Sequence, residues 1–346
     1  MRIEIASFTR NGARLAATLA DQLRAQGDNA RAWTAARYAE EAGLSPMESA
    51  AAWAKQAFPA SDALIFVGAA GIAVRSVAPL LRSKLTDPAV VSVDEAGSFA
   101  VALVSGHLGG ANRLARRIAV LTGGQSVVST ATDVNKLFSV DEWISRSGMA
   151  LVNPRAVRAF AAALLEDQPV GLSSEFPVQG ALPCGLVWAQ SGAVGLHVGV
   201  RRDAPFDATV CAVPKIVTLG IGCRRNTAME AIEDAVALAL DSANLRPESL
   251  CGAASIDLKK DEPGLLAFCE SRKLPIRFFS AAELNAVPGA FTASARVLRV
   301  TGVDNVCERA AVLAGGKLIA RKFANNGVTV ALAISDFHLS FEGEWK

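Results

Sequence analysis

The run Val93-Asp94-Glu95-Ala96-Gly97, followed by Ser105-Gly106-His107-Leu108-Gly109-Gly110-Ala111-Asn112, gathers the chain's most reactive chemistry into one short stretch. Glu95 beside Gly97 has the makings of a general base. His107 offers an imidazole that exchanges protons near neutral pH. The free N–H groups of Gly109 and Gly110, at the start of a helical pattern, are candidate donors to an oxyanion. Asp94 and Glu95 are neighbours on a strand end, so only one of them faces a given side. The bland counterparts are an acidic turn in solvent and a structural histidine. Asn112 either orients a ligand or caps the helix.

Two further loops have the strand–loop–helix form that can receive an anion. Gly68-Ala69-Ala70-Gly71 leads into a helical pattern carrying Arg75 one turn in. Main-chain amides at such a start can hold a carboxylate. The run is not G-x-G-x-x-G and has no P-loop ending, so the case for a nucleotide is weak. Gly222-Cys223-Arg224-Arg225-Asn226-Thr227 places two guanidinium groups before another helix, a plausible clamp for carboxylates. Cys223 has no histidine near it in sequence, which argues against a cysteine nucleophile. Asp257–Glu262 reads as a solvated charged loop.

These segments need a scaffold that presents loops at strand ends. Strand-like Ile3–Ser7 precedes leucines at 15, 19 and 23, a helical spacing. Ser45-Pro46-Met47-Glu48 reads as a capping box opening a helix to about Phe58. Ala63–Val67 is a buried strand, Ile72–Leu81 a helix, Val90–Val93 and Phe99–Val104 two strands around the turn at Gly97, and Gly110–Leu121 a helix closed by Gly123-Gly124. Strands separated by helices imply a mostly parallel, helix-covered sheet. From about 138 the pattern weakens into short β-like pieces punctuated by prolines. A second α/β unit begins near 214, with capping boxes at Thr227–Glu230 and Ser280–Glu283 and a hairpin turn at Asn325-Asn326-Gly327. The expected division is 1–137, 138–213 and 214–346: an N-terminal three-layer α/β domain, a small middle region and a C-terminal α/β domain.

Composition narrows the classes. The chain has 346 residues, 51% hydrophobic and 20% charged, which suits a folded protein with a large core. A net charge of +2 argues against an extended nucleic-acid surface. No apolar run reaches a membrane span, and no signal-peptide core opens the chain, so a cytoplasmic location is expected. The six cysteines form no C-x-x-C pair and the three histidines are far apart, so no dedicated metal site is expected.

The segment Gly68–Arg75, Thr86-Asp87-Pro88-Ala89-Val90-Val91, Val93–Gly97 and Leu103–Asn112 resemble the N-terminal half of the cobalt-precorrin-5A hydrolase (CbiG) family. Gly220-Ile221-Gly222-Cys223-Arg224-Arg225, Ser255-Ile256-Asp257-Leu258-Lys259, Glu262-Pro263-Gly264-Leu265, Thr301-Gly302-Val303 and Val328-Thr329-Val330-Ala331 resemble its C-terminal domain, which is itself similar to CobE. The resemblance implies an enzyme of anaerobic cobalamin (vitamin B12) biosynthesis. Water opens the δ-lactone of cobalt-precorrin-5A, and a two-carbon unit leaves as acetaldehyde. Cobalt arrives inside the corrinoid substrate, so no separate cofactor is implied. For that chemistry the residues suggest Glu95 as base, His107 as second proton carrier and Gly109 and Gly110 as oxyanion donors. Gly68, Gly71, Arg75, Lys84, Asp94, Asn112, Arg113, Arg224 and Arg225 are the candidates to hold the substrate and its peripheral carboxylates, in a pocket between the first and third units. Transient contact with the pathway's methyltransferases fits this role, and a homodimer is compatible with it. A corrinoid carrier without catalysis, and a nucleotide- or sugar-binding enzyme built on Gly68–Gly71, remain open alternatives. Acetaldehyde formation separates the first from the hydrolase, and tight nucleotide binding would identify the second.

Overall fold

The computed structural model describes residues 1–83, 86–106 and 109–341. Lys84 and His107 fall outside the described residues. The chain forms two compact units, 1–143 and 144 onward.

The first unit is a seven-stranded sheet between helices. In chain order its strands are β1 (Arg2–Ser7), β2 (Asn29–Ala35), β3 (Ser45–Met47), β4 (Ala63–Val67), β5 (Ala89–Val93), β6 (Phe99–Val104) and β7 (Gln125–Val127). Its main helices are α1 (Arg10–Ala25), α2 (Ala36–Ala42), α3 (Ala50–Ala57), α4 (Ala70–Val77) and α5 (Ala111–Thr122), followed by short α6 (Ala131–Val134); α7 (Val140–Arg146) runs across the boundary into the second unit. The strand order is β3-β2-β1-β4-β5-β6-β7. Because side chains alternate across a strand, each central strand feeds two cores. Ile3, Ile5, Ile65, Val67, Val91 and Val93 pack against α1 and α5 through Leu19, Leu23, Leu114 and Ile118. Ala6, Leu64, Phe66 and Val90 pack on the other face against Trp53, Ala54, Ala73 and Val77 of α3 and α4. Burying each large apolar side chain contributes about 1.5–3 kcal/mol. All five residues of β4 and of β5 are buried, as a strand covered on both faces requires.

Pairing is parallel throughout this sheet except between β5 and β6, which run antiparallel with Val93 opposite Ala100 and Val90 opposite Val104. The mostly parallel, three-layer expectation is borne out. One local reading is corrected. Ser45-Pro46-Met47 is strand β3, pairing with Trp33–Ala35, and the helix instead starts at Ala50 with Ser49 capping it. A proline is tolerated there because β3 is an edge strand.

The second unit holds two five-stranded sheets. The first comprises β8 (Ala150–Val152), β9 (Val170–Ser174), β11 (Leu186–Trp188), β12 (Gly192–Val198) and β13 (Phe206–Val213), in the order β11-β9-β12-β13-β8, with α8 (Ala156–Leu165) packed on it. Two-residue β10 (Val178–Gln179) lies outside it. Glycines explain why this sheet reads weakly. A Cβ on Gly171 or Gly195 would fall 2.3 and 2.4 Å from the Phe206 ring, so two bare strand positions make room for one aromatic.

The other sheet comprises β14 (Val217–Cys223), β15 (Leu250–Ile256), β16 (Ile276–Phe279), β17 (Lys317–Asn325) and β18 (Val328–Ile334), in the order β16-β15-β14-β18-β17. Helices α9 (Met229–Ser242) and α10 (Pro263–Ser271) cover one face through Ile232, Val236, Leu240 and Phe268. The short helices α11 (Ala281–Ala286) and α12 (Ala295–Thr301) precede α13 (Val306–Gly315), which packs on the other face. A Cβ on Gly220 would lie 1.9 Å from the Cys307 carbonyl oxygen, so glycine there lets α13 sit close to β14. The Ser280–Glu283 capping box forms as read, and Asn326 and Gly327 take positive φ in the β17–β18 turn. The Thr227 box does not form. Its hydroxyl donates to the Arg224 carbonyl, and Ala228 occupies the cap position. Near the chain's end, β19 (Leu339–Ser340) pairs with β10, and Phe337 stacks edge-on against Phe176 at 5.1 Å.

Candidate active site

The carboxyl ends of β1, β4 and β5 meet at one edge of the first sheet. Thr9 caps α1, its Oγ1 accepting from the Gly12 N–H at 3.0 Å. The same hydroxyl donates to Glu95 Oε2 at 2.5 Å. Glu95 thus stands at the positive end of α1, where a carboxylate is favoured. Gly68 leaves β4 at φ +155°, donates to the Val93 carbonyl at 2.7 Å and accepts from Ser92 Oγ at 3.1 Å. That fixes the start of α4 beside the end of β5. The α4 start has no side-chain cap, and the Arg75 guanidinium folds back toward Gly71. An exposed carboxylate, an uncapped helix start and a guanidinium therefore share this edge.

Asp94 has a separate task. Its carboxylate accepts from the N–H groups of Ala96, Ser98 and Phe99, closing the turn between β5 and β6. Burial pushes its carboxyl up, but the main-chain donors outweigh that, led by Phe99, and hold it below its ordinary value.

The structure does not bring Glu95 together with Gly109 and Gly110. Because β6 runs antiparallel to β5, the loop after Val104 lies at the other edge of the sheet, next to the start of β5. A Cβ on Gly109 would fall 3.3 Å from the Asp87 carbonyl oxygen, just ahead of β5. The two edges are separated by the five residues of β5, about 15 Å at a strand's rise. The expected convergence of Glu95 with these two glycines is thereby corrected.

That second edge is tightly built. Ser105 has φ +58°, and its buried hydroxyl has no hydrogen-bond partner among the described residues. The N–H groups of Ala111 and Asn112 return to the carbonyls of Ser105 and Gly106. Buried Asn112 donates to Thr130 Oγ1 at 3.0 Å and Asp133 Oδ2 at 2.8 Å, and Arg116 also pairs with Asp133. Asn112 therefore ties α5 to α6. Exposed Arg113 lies over Gly110.

In the second unit, Arg224 and Arg225 are exposed at the carboxyl end of β14, and Arg224 lies along Gly327 of the β17–β18 turn. Lys259 belongs to the loop after the parallel neighbour β15 and pairs at 3.0 Å with Glu262, which is only 7% exposed. Burial pushes the Cys223 thiol up, and nearby Lys259 only partly offsets this. A protonated thiol is a poor nucleophile. A cleft of about 500 Å³ lies at the other end of this sheet, beside Lys215 and Leu250. Among its charged residues Arg202 pairs with Asp241 and Arg272 with Glu233, and Lys215 and Glu248 also line it.

Thr9, Ser105 and the Lys259–Glu262 pair were not singled out from sequence. Thr9 carried a readable signal, a cap residue directly after a strand. The others depend on burial.

Two family descriptions match the chain: "Cobalamin synthesis G N-terminal" over residues 52–133 and "Cobalamin synthesis G C-terminus" over residues 217–333. Cobalt-precorrin-5A hydrolase of Salmonella typhimurium is 33% identical over 309 residues, covering 82% of this chain and 84% of that protein. The chain belongs to the cobalt-precorrin-5A hydrolase family. The Priestia megaterium cobalt-precorrin-5A hydrolase is 29% identical over 80% of this chain and 79% of its own length. Protein CobE of a Sinorhizobium species is 34% identical over 121 residues, 34% of this chain and 79% of CobE. The two matched family regions cover Glu95 and Gly109–Gly110 in one unit and Arg224–Arg225 in the other. Among the described residues, no helix is long and apolar enough to cross a membrane.

Proposed function

We propose that this chain is a cobalt-precorrin-5A hydrolase. It opens the δ-lactone of the corrinoid with water and releases the extruded two-carbon unit as acetaldehyde, giving cobalt-precorrin-5B. The observation that carries this reading is the 33% identity to the Salmonella typhimurium enzyme across more than four-fifths of both chains.

Glu95 is the base. Its carboxylate takes a proton from water as the lactone carbonyl is attacked and returns it to the alkoxide that leaves. It then takes the proton of that hydroxyl as the C–C bond breaks, with the electrons passing into the macrocycle. The hydrogen bond from Thr9 and the adjoining start of α1 support this role by aiming and stabilising the carboxylate. The geometry favours the uncapped start of α4 as the oxyanion donor, since it opens on the same edge as Glu95. Arg75 there pairs with a peripheral carboxylate of the corrinoid, and Arg224 and Arg225 of the second unit offer exposed guanidinium groups suited to the same chemistry. Cobalt is part of the substrate.

The test is anaerobic incubation of the full chain with cobalt-precorrin-5A, followed for acetaldehyde and for the ring-opened product. Stoichiometric aldehyde is the expected result. Pigment binding without aldehyde would replace the hydrolase with a carrier.

A further inference from the structure

Away from both sheet edges described above, the parallel register of β9 and β12 sets His197 directly beside Ser173. His197 is 4% exposed. Its Nδ1 lies 3.2 Å from Ser173 Oγ, whose hydroxyl donates to Gln190 Oε1 at 3.4 Å. With that proton committed to Gln190, the serine oxygen accepts Nδ1–H, which leaves the Nε2 lone pair facing outward. Nε2 is buried and has no hydrogen-bond partner among the described residues. It points at Glu175 Oε1, 3.7 Å away, beyond hydrogen-bond reach. Glu175 is half-buried, its Oε1 accepting from the Arg201 N–H at 2.9 Å and its Oε2 pairing with the Arg201 guanidinium at 3.5 Å. A lone pair aimed at that carboxylate is unfavourable unless a proton or a metal ion stands between them.

The surroundings leave space for one. A Cβ on Gly199 would fall 2.2 Å from Glu175 Oε1 and 2.7 Å from His197 Nε2, so any side chain there would intrude on the gap. The carboxylate of Asp203 completes the group, with all three ligand atoms within 4.8 Å of one another. Two ligands at ~2.1 Å from a tetrahedral ion stand ~3.4 Å apart, close to the spacing of Nε2 and Oε1.

We propose that His197 Nε2 and the carboxylates of Glu175 and Asp203 form a binding site for a divalent transition-metal ion of the zinc type. One imidazole and two carboxylates suit such an ion better than Mg²⁺, which favours an all-oxygen shell with several waters. Ser173 is the outer partner that fixes the imidazole's tautomer. Asp203 lies beyond the end of β12, and its side chain also accepts from Asn244 at 3.4 Å. A bound ion would staple the loop after β12 onto β9. The three ligands escape a sequence reading because they come from different segments, brought together only by strand register.

The test is equilibrium dialysis of the chelator-treated full chain against Zn²⁺ alone, with Co²⁺ as a visible-absorption probe. One equivalent is expected to bind. His197→Ala and Glu175→Gln should each weaken binding by more than about 100-fold, and Ser173→Ala by about 10- to 100-fold. Asp203→Asn changes an exposed side chain and provides a folded variant whose affinity should also fall. Cys184→Ser should bind as wild type does. No stoichiometric binding overturns the proposal. So does binding that survives both Glu175→Gln and Asp203→Asn, or that disappears on replacing cysteines. None of these outcomes bears on acetaldehyde formation, so this site and the hydrolase reading fail separately.

Discussion

Thr9 and Glu95, 86 residues apart in the chain, are joined by a hydrogen bond of 2.5 Å between hydroxyl and carboxylate. The same threonine caps α1. Glu95 is thus aimed by a group that the helix itself holds. Glu95→Gln should keep the fold and slow acetaldehyde release by about 10²- to 10⁴-fold, the usual contribution of a positioned base. Thr9→Val should lower kcat by a smaller factor and also cost ~1 kcal/mol of stability through the lost cap. Thr9→Ser should restore both. Steady-state kinetics beside urea unfolding separates the effects, and undiminished turnover in Glu95→Gln would remove Glu95 from the mechanism.

The opposite edge invites a stability test. A Cβ on Gly109 would fall 2.3 Å from the Ser105 Cβ and 2.9 Å from its carbonyl oxygen. Main chain must move to admit it. Gly109→Ala should therefore destabilise the protein by about 1–3 kcal/mol, lowering the urea midpoint at unchanged slope. A midpoint equal to wild type would mean that this loop is looser than its contacts indicate.

Asp94 gives a pH dependence with a definite sign. Its folded carboxyl titrates below its ordinary value because the N–H groups of Phe99, Ser98 and Ala96 outweigh the effect of burial. The folded state therefore releases this proton more readily than the unfolded chain does. The resulting stability is complete above about pH 4, the unfolded value, and is lost as pH falls through the folded one. Asp94→Asn should lower stability at neutral pH by about 1 kcal/mol and lose less than wild type on acidification. Urea melts at pH 7 and pH 3 provide the comparison, and parallel losses in both proteins would contradict it.

Arg224 and Arg225 are exposed, so screening limits what each can contribute. Single replacements by glutamine should raise KM about 2- to 5-fold with kcat unchanged, and the difference should shrink in high salt. A change confined to kcat would place these side chains somewhere other than on the substrate's carboxylates.

Cys223 lies next to those arginines, yet burial keeps its thiol protonated at neutral pH. Cys223→Ser should retain turnover within about 2-fold, and iodoacetamide should react slowly with the native protein. Rapid inactivation by alkylation at this residue would reverse that assignment.

Much of the fold was legible from local pattern. The continuous apolar run at 63–67 announced a strand covered on both faces, and leucines spaced by four announced α1. Asn325-Asn326-Gly327 announced its hairpin through residues that tolerate positive φ. The middle sheet was obscured because Gly171 and Gly195 weaken the pattern of strands that Phe206 completes from a third. Ser45–Met47 was misread because a proline after a serine signals a helix start as well as an edge strand. The candidate site failed differently. Only residues 94–98 join β5 to β6, too few for a parallel crossover. The reversal was therefore implicit in the sequence, and it separates Glu95 from Gly109 despite their closeness along the chain. The Thr9–Glu95 contact spans three strands, and no local spacing announces it.

The return of β19 to β10 interlaces the second unit's two halves. Residues 178–179, ahead of most of the middle sheet, are matched with 339–340 near the end of the chain. A single proteolytic nick at exposed Lys215 would cut the covalent thread between the sheets while leaving that clasp closed. The fragments should co-elute on gel filtration in native buffer and part only in denaturant, so an intact-looking elution peak would be no proof of an uncut polypeptide.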